Sequence, residues 1–117
     1  MHSDSELPSD AADPAVVQLA VEVFAMLADA TRVQIVLALR EGELPVGRLA
    51  DIVQKSPTSV SQHLAKLRLS RMVSARQEGN RVFYRLTDEH ALALVRDAIL
   101  QAEHGAEGVP QHHRGSA

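Results

Sequence analysis

The chain has 117 residues, which is enough for one domain with a modest hydrophobic core, and its apolar fraction of 45% is ordinary. Aromatic residues make up only 3%, so the core must be built mainly from aliphatic side chains. Cysteine is absent, which excludes disulfides, thiolate metal ligands and cysteine nucleophiles.

Charge is distributed unevenly along the chain, whose formal net charge is −3. Residues 46–85 carry eight Lys or Arg against two acidic residues, a net charge of +6, whereas the remaining residues together carry −9. A basic segment of this kind is typical of a surface that binds nucleic acid. Residues 1–12 are polar and acidic, so we expect a disordered arm and no signal peptide. No apolar run approaches the roughly 18 residues of a membrane span, and we expect a cytoplasmic protein.

The first two helices are predicted from their starting residues. Asp13-Pro14 pairs an N-cap with a proline at the first helical position. Asp29 is expected to cap a second helix over residues 30–39, which Gly42 follows. The first helix has an apolar face broader than a small core requires, which indicates packing against a partner chain. The apolar positions of the two helices are Val16, Leu19, Ala20, Val23, Met26 and Leu27, then Val33, Val36, Leu37 and Leu39.

A helix-turn-helix arrangement follows in the basic segment. Pro45-Val46 begins a short third helix over residues 46–53, in which we expect Leu49, Ile52 and Val53 to be buried. Ser56-Pro57 begins a fourth helix, which we expect to reach Met72. Two short helices joined by a tight turn are typical of this DNA-binding motif. The apolar stripe of the fourth helix is Val60, Leu64, Leu67 and Met72.

The polar face of the fourth helix carries hydroxyls, an amide, an imidazole and a cation, with few carboxylates. Such groups suit phosphate oxygens and base edges. The alternative is an ordinary solvated face, but the neighbouring elements favour DNA recognition. The predicted DNA-binding residues of this helix are Ser56, Thr58, Ser59, Gln62, His63 and Lys66.

After Met72 the apolar period changes from 3.6 to 2, which predicts strands over residues 73–76 and 82–86. The intervening residues 78–81, Glu-Gly-Asn-Arg, are typical of a hairpin turn. A basic-tipped hairpin directly after a recognition helix is a wing, which would lay Arg81 against the DNA backbone or minor groove, with Arg76 as a further candidate. The alternative is a hairpin that only covers the core.

The last predicted helix is capped by Thr87 or Asp88 and runs to His104, before a flexible tail over residues 105–117. His90 and His104 share one helical face but lie about 21 Å apart along the axis. They cannot bind one ion, because ligand atoms lie about 2 Å from a metal. Two antiparallel copies would instead place His90 of one chain opposite Glu103 and His104 of the other, giving two identical sites.

The tail residues His112 and His113 could complete each of these sites, and Asp88 is a further candidate ligand. All the donors are nitrogen or oxygen, and their number exceeds what tetrahedral zinc requires. This set favours nickel or cobalt with five or six ligands. The alternative is that His112-His113 belongs to a solvated tail and that His90 merely begins a helix.

The motifs that carry a family resemblance are, in chain order, Leu27-Ala28-Asp29-Ala30-Thr31-Arg32, Glu43-Leu44-Pro45-Val46 with Leu49-Ala50, Ser59-Val60-Ser61-Gln62-His63-Leu64 with Leu67-Arg68, and Gly79-Asn80-Arg81-Val82-Phe83-Tyr84-Arg85-Leu86. They resemble those of the ArsR/SmtB family of winged-helix metal-responsive repressors, over roughly residues 15–104. This resemblance implies a mainly helical winged helix-turn-helix domain over residues 13–104, with a small β-hairpin between the fourth and last helices. It also implies a homodimer through the first and last helices, and a repressor that leaves its operator when metal binds and frees an export gene.

The resemblance also bears on the choice of metal. The family site typically uses Asp-x-His followed by His-x-x-His or His-x-x-Glu, and here Gln101 replaces the intervening histidine. Glu103-His104 followed by two tail histidines is similar to the nickel- and cobalt-sensing members. We therefore expect a non-enzymatic repressor that binds operator DNA and nickel or cobalt. The alternatives are a zinc sensor of the same family, or a metal-binding or interaction protein without operator specificity.

Overall fold

The computed structural model describes residues 13–107. It is a winged helix-turn-helix, which confirms the predicted fold class. The expected N-terminal arm and the tail from Gly108 onward lie outside the described residues. The helices are α1 (Pro14–Leu27), α2 (Ala30–Ala38), α3 (Val46–Val53), α4 (Pro57–Leu69) and α5 (His90–Glu107), and a 3-10 turn (Leu39–Glu41) follows α2. The strands are β1 (Leu44–Pro45), β2 (Val73–Glu78) and β3 (Arg81–Leu86).

Three of the predicted N-caps, Asp13, Asp29 and Ser56, begin their helices as expected. The Asp13 carboxylate accepts a hydrogen bond from the backbone N–H of Ala15 at 2.8 Å. The Asp29 carboxylate accepts one from Arg32 at 3.0 Å, and the Ser56 hydroxyl accepts one from the backbone N–H three residues later at 3.1 Å. Each cap satisfies an N–H group that has no partner within its helix.

Two helix ends differ from the prediction. Helix α4 ends at Leu69 because Arg71 adopts a left-handed conformation (φ 62°), and the Met72 N–H returns to the Leu67 carbonyl at 3.0 Å. This closure normally uses glycine, so its signal is missing from the sequence. Helix α5 continues to Glu107, so the predicted tail, which begins at Gly105, is helical over residues 105–107. A single glycine lowers helix propensity by about 1 kcal/mol without breaking a helix.

The wing is an antiparallel hairpin of two six-residue strands, each longer than predicted. The register runs from Val73 opposite Leu86 to Glu78 opposite Arg81, with a two-residue turn in which Gly79 has φ 62°. Strand β1 pairs with β3, so the strand order is β1-β3-β2. Strand β1 was not predicted, because two residues, one of them proline, are too short to show alternation.

The core lies where α2, α3, α4, α5 and the start of β2 meet. Ile52, predicted to be buried, is 44% exposed. It is rotated by about 100° from Val53 around the axis of α3, whose buried face passes through Ala50 instead. In α2, Ile35 is buried, and Val33 and Leu37 are only half-buried. The buried apolar residues are Ile35, Val36, Leu39, Leu49, Ala50, Val53, Val60, Leu64, Leu67, Met72, Val73, Ala91 and Val95.

Helix α1 has no fully buried residue in the single chain. Val23, Met26 and Leu27 pack against the core, whereas the large apolar side chains of its outer surface are exposed. Of the helices within residues 13–107, none taken singly is long and apolar enough to cross a membrane, although α1 and α2 with its 3-10 turn, bent by 89°, pass that test as a pair. The exposed apolar residues of α1 are Val16, Val17, Leu19, Val21 and Phe24.

Candidate DNA-binding and metal-binding residues

One face of helix α4 packs into the core, and another face is exposed to solvent. Its apolar stripe is fully buried, and α3 leads into it through a tight turn in which Gln54 takes the left-handed conformation (φ 58°). Thr58, Gln62 and Lys66 are exposed, and Ser59 is half-buried. A rigid helix with hydroxyl, amide and cationic groups on its free face is suited to the major groove of DNA.

Ser56 and His63, both predicted to bind DNA, also have structural partners. The Ser56 hydroxyl caps α4. The Nδ1 atom of His63 lies 3.1 Å from Nη1 of Arg32 and 3.8 Å from the Asp29 carboxylate. His63 is therefore half-buried at the contact between α4 and the start of α2, a role that sequence reasoning missed.

The pKa of the Asp29 carboxylate is lowered at this contact. The backbone N–H of Arg32 donates to it and holds its pKa below the ordinary value of 3.8, and the charge of Arg32 acts in the same direction. Partial burial opposes these effects by raising the pKa. Asp29 therefore remains ionised at neutral pH, beside the recognition helix.

Arg76 and Arg81, two of the three arginines of the wing, have different surroundings. Nε of Arg76 donates to the Glu43 carboxylate at 2.9 and 3.0 Å, and Nη1 donates to Glu78 at 2.8 Å. These contacts raise the pKa of Arg76 and lower that of Glu43. Arg81 lies 5.1 Å from the centre of the Phe83 ring, and no carboxylate in the described part of the chain forms an ion pair with it. Arg81 is thus a wing cation available to a phosphate, whereas Arg76 joins the wing to the loop before β1.

The structure keeps the candidate metal ligands at opposite ends of α5. His90 begins the helix, and its backbone N–H donates to the Asp88 carboxylate at 2.9 Å, although Glu89, and not the predicted Thr87 or Asp88, occupies the N-cap position. Glu103 and His104 are exposed near the other end. Between residues 13 and 107, no three His, Asp or Glu side chains of one chain come close enough to hold an ion. His112 and His113 lie outside the described residues.

Asp88 and His90 line a cavity of about 230 Å³ together with Val23 of α1 and Arg71 and Met72 after α4. The first pair of candidate ligands is therefore adjacent to both the exposed helix α1 and the end of the recognition helix. This position was not evident from the sequence, because it depends on the packing of three separate elements.

Helix α4 buries its apolar stripe and exposes a polar face. A short helix precedes it, and a hairpin with an available arginine follows it. This arrangement defines a winged helix-turn-helix DNA-binding protein. Residues 29–75 match the family model described as bacterial regulatory protein, arsR family. Together with the similarity described next, this match shows that the chain belongs to the arsR family. It is a transcriptional regulator and not an enzyme, as the sequence predicted.

Three relatives span most of the chain. The HTH-type transcriptional regulator KmtR of Mycobacterium tuberculosis is 50% identical over 119 residues, which cover 99% of this chain and 88% of the relative. The antimony-specific transcriptional repressor AntR has a similar structure, with a TM-score of 0.73, 31% identity and coverage of 81% of this chain and 86% of that one. A homodimeric winged helix-turn-helix DNA-binding domain from Mycobacterium bovis matches with a TM-score of 0.71, 29% identity and coverage of 81% and 88%.

Proposed function

We propose that this protein is a homodimeric repressor that binds operator DNA and releases it on binding nickel or cobalt. The observation that carries the proposal is the placement of exposed nitrogen and oxygen donors at the two ends of α5, next to a helix with an exposed apolar face. The DNA would be contacted by Ser56, Thr58, Ser59, Gln62, His63, Lys66 and Arg81.

Homodimerisation is supported by the outer surface of the single chain. Phe24 in α1 is 60% exposed, and Val16, Leu19 and, in α5, Leu100 are also exposed. Contiguous exposed apolar side chains are typical of an interface, because leaving them in water forgoes the hydrophobic free energy of burial. The Mycobacterium bovis domain with the same fold is homodimeric.

The donor set fits a nitrogen- and oxygen-binding metal ion. His90 of one chain, with Glu103 and His104 of its partner, would form the centre of each site. His112, His113 and Asp88 are the remaining candidate ligands. A set with several imidazoles, carboxylates and no thiolate suits nickel or cobalt with more than four ligands. The similarity to an antimony-specific repressor supports regulation by a metal or metalloid ion.

Release of DNA requires that the metal bind the DNA-free conformation more tightly than the DNA-bound one, because only differential affinity shifts an equilibrium. The cavity that Asp88 and His90 share with α1 and the end of α4 supplies a physical connection between the candidate ligands and the recognition helix. In the cytoplasm, such a repressor would free a metal-export gene when the ion accumulates.

The test is operator binding followed by fluorescence anisotropy, with nickel, cobalt and zinc titrated separately at buffered free concentrations. We expect nickel or cobalt to release the DNA at a lower free concentration than zinc. The His104→Ala variant should bind DNA normally and resist release, and His2→Ala is the matched control because His2 is not a candidate ligand. Release by zinc at the lowest concentration would indicate a smaller tetrahedral site. DNA binding that no metal affects would refute metal sensing.

A further inference from the structure

One arginine joins three elements of the DNA-binding half of the molecule. The Nε atom of Arg32 donates to the carbonyl of Met26, in the last turn of α1, at 2.6 Å. Its backbone N–H donates to Asp29, the N-cap of α2, and its Nη1 atom lies 3.1 Å from Nδ1 of His63 on α4. None of these contacts involves the candidate metal ligands.

The chemistry of the guanidinium determines which nitrogen of His63 carries the proton. Every polar hydrogen of an arginine is a donor and the group has no acceptor, so Nδ1 of His63 must accept and carries no proton. The alternative partner is the Asp29 carboxylate, which would require a proton on Nδ1. It lies 3.8 Å away, beyond hydrogen-bond distance, and already accepts from the Arg32 backbone.

We propose that Arg32 is a positioning residue that holds His63 as the Nε2–H tautomer, so that the recognition helix presents a hydrogen-bond donor at this position. The side chain of His63 keeps 21% of its surface exposed, so the imidazole edge opposite Arg32 can serve DNA acceptors such as phosphate oxygens or the N7 and O6 atoms of guanine. The consequence for DNA rests on the proposed function, whereas the tautomer does not.

The same guanidinium binds the end of α1, so the orientation of His63 depends on the position of α1 relative to α2. A cationic side chain at a helix C-terminus is favourable there, because it donates to a carbonyl without an intrahelical partner. The Asp29-x-x-Arg32 spacing in the sequence accounts for the N-cap contact, whereas the contact with His63 depends on packing.

The tautomer is measured in the free full-length protein by long-range proton–nitrogen NMR on ¹⁵N-histidine-labelled protein at about pH 8, where an ordinary imidazole is neutral. His63→Phe identifies the His63 resonances. We expect a protonated Nε2 and a bare Nδ1 that is shifted by hydrogen bonding. A proton on Nδ1 in the wild-type protein, in the neutral ring or the cation, would overturn the proposal, and this measurement needs no Arg32 variant.

Variants then test whether Arg32 is responsible. Arg32→Met should move the His63 Nδ1 resonance, and Arg32→Lys should restore it in part because lysine keeps a donor. Arg40→Met is the matched control, since Arg40 also donates to a backbone carbonyl (of Leu37, at 2.7 Å). An Nδ1 resonance that Arg32→Met leaves in place would also overturn the proposal.

Operator affinity gives a second readout. His63→Phe and Arg32→Met should each weaken binding roughly 3- to 10-fold, the effect of one hydrogen bond. The double variant should lose no more than either single variant, because both remove the same interaction. Additive losses would contradict an action of Arg32 through His63. The two proposals can fail separately. If Nδ1 of His63 is unprotonated but the protein binds no operator, the proposed function is refuted and the Arg32–His63 assignment remains intact.

Discussion

At the scale of single residues, Asp29 has two roles that the sequence only partly showed. Its N-cap role was predicted from its position before α2, and the hydrogen bond to Arg32 confirms it. Its proximity to His63 depends on the packing of α4 against α2, which brings together two residues that are 34 positions apart in the chain. Because the contact with Arg32 depresses its pKa, the Asp29 carboxylate contributes stability that varies with pH.

Substitution of Asp29 should therefore separate capping from charge. Asp29→Ala removes the cap and should lower the free energy of unfolding by about 1 kcal/mol at pH 7. Asp29→Asn keeps a capping oxygen and should cost less. Because the folded-state pKa of Asp29 lies below its ordinary value of 3.8, its charge-dependent contribution is present above that pH and is lost as the pH falls through the folded-state pKa.

The measurement is urea unfolding at one protein concentration between pH 7 and pH 2. The advantage of the wild-type protein over Asp29→Asn should shrink as the pH falls below 3.8. A constant difference across this range would show that the charge of Asp29 does not stabilise the fold.

At the scale of elements, the wing shows why charge counts alone do not identify DNA contacts. Arg76 and Arg81 look equivalent in the sequence, since both are basic residues of one hairpin. In the structure both arginines are exposed and lie against Phe83, but only Arg76 is also held by Glu43 and Glu78. An arginine already paired with carboxylates has less to gain from a phosphate, so Arg81 is the better candidate.

Arg81→Gln should weaken operator binding similarly for all sequences and reduce the salt dependence. The slope of log affinity against log salt should decrease by about 1 for each wing that contacts a phosphate. Arg76→Gln is the comparison variant and should change this slope less. The slope is measured by anisotropy titrations at several salt concentrations, and an equal or larger effect of Arg76→Gln would reverse the assignment.

At the scale of the whole molecule, the apolar surface of α1 extends onto α4. Leu69, the last residue of α4, is 84% exposed and lines a cavity of about 270 Å³ with Leu19 and Val23 of α1. Leu69 lies outside the buried stripe of α4, so its exposure alone does not identify a role. Its position beside α1 indicates that it belongs to the proposed interface between two copies.

Leu69→Asp should accordingly weaken dimerisation by at least about tenfold, because each copy would lose the burial of one leucine. Ile52→Asp is a matched control, since Ile52 is also an exposed apolar residue but lies on α3 beside Leu44 and Arg48. Sedimentation velocity over a range of concentrations measures the dissociation constant. If Leu69→Asp dimerises as tightly as the wild-type protein, the interface does not include Leu69.

The sequence by itself determined the local features of this protein. Asp13-Pro14, Asp29 and Ser56-Pro57 marked helix starts, and apolar period identified the recognition helix and the wing. These features depend on hydrogen bonds and side-chain spacing within a few residues, so they can be inferred from the chain alone. The 14-residue separation of His90 and His104 likewise excluded a shared ion within one chain, and no such cluster occurs among residues 13–107.

Other features were decided only by the tertiary structure, because they depend on residues that are distant in the chain. The pairing of β1 with β3, the exposure of Ile52 and the contact of Arg32 with His63 arise from packing between segments far apart in the chain. The end of α4 at Leu69 belongs with them, because Arg71 adopts a left-handed conformation that its residue type does not favour. Tertiary packing overrides such local preferences when the buried neighbours, here Leu67 and Met72, stabilise the fold by more than the local cost.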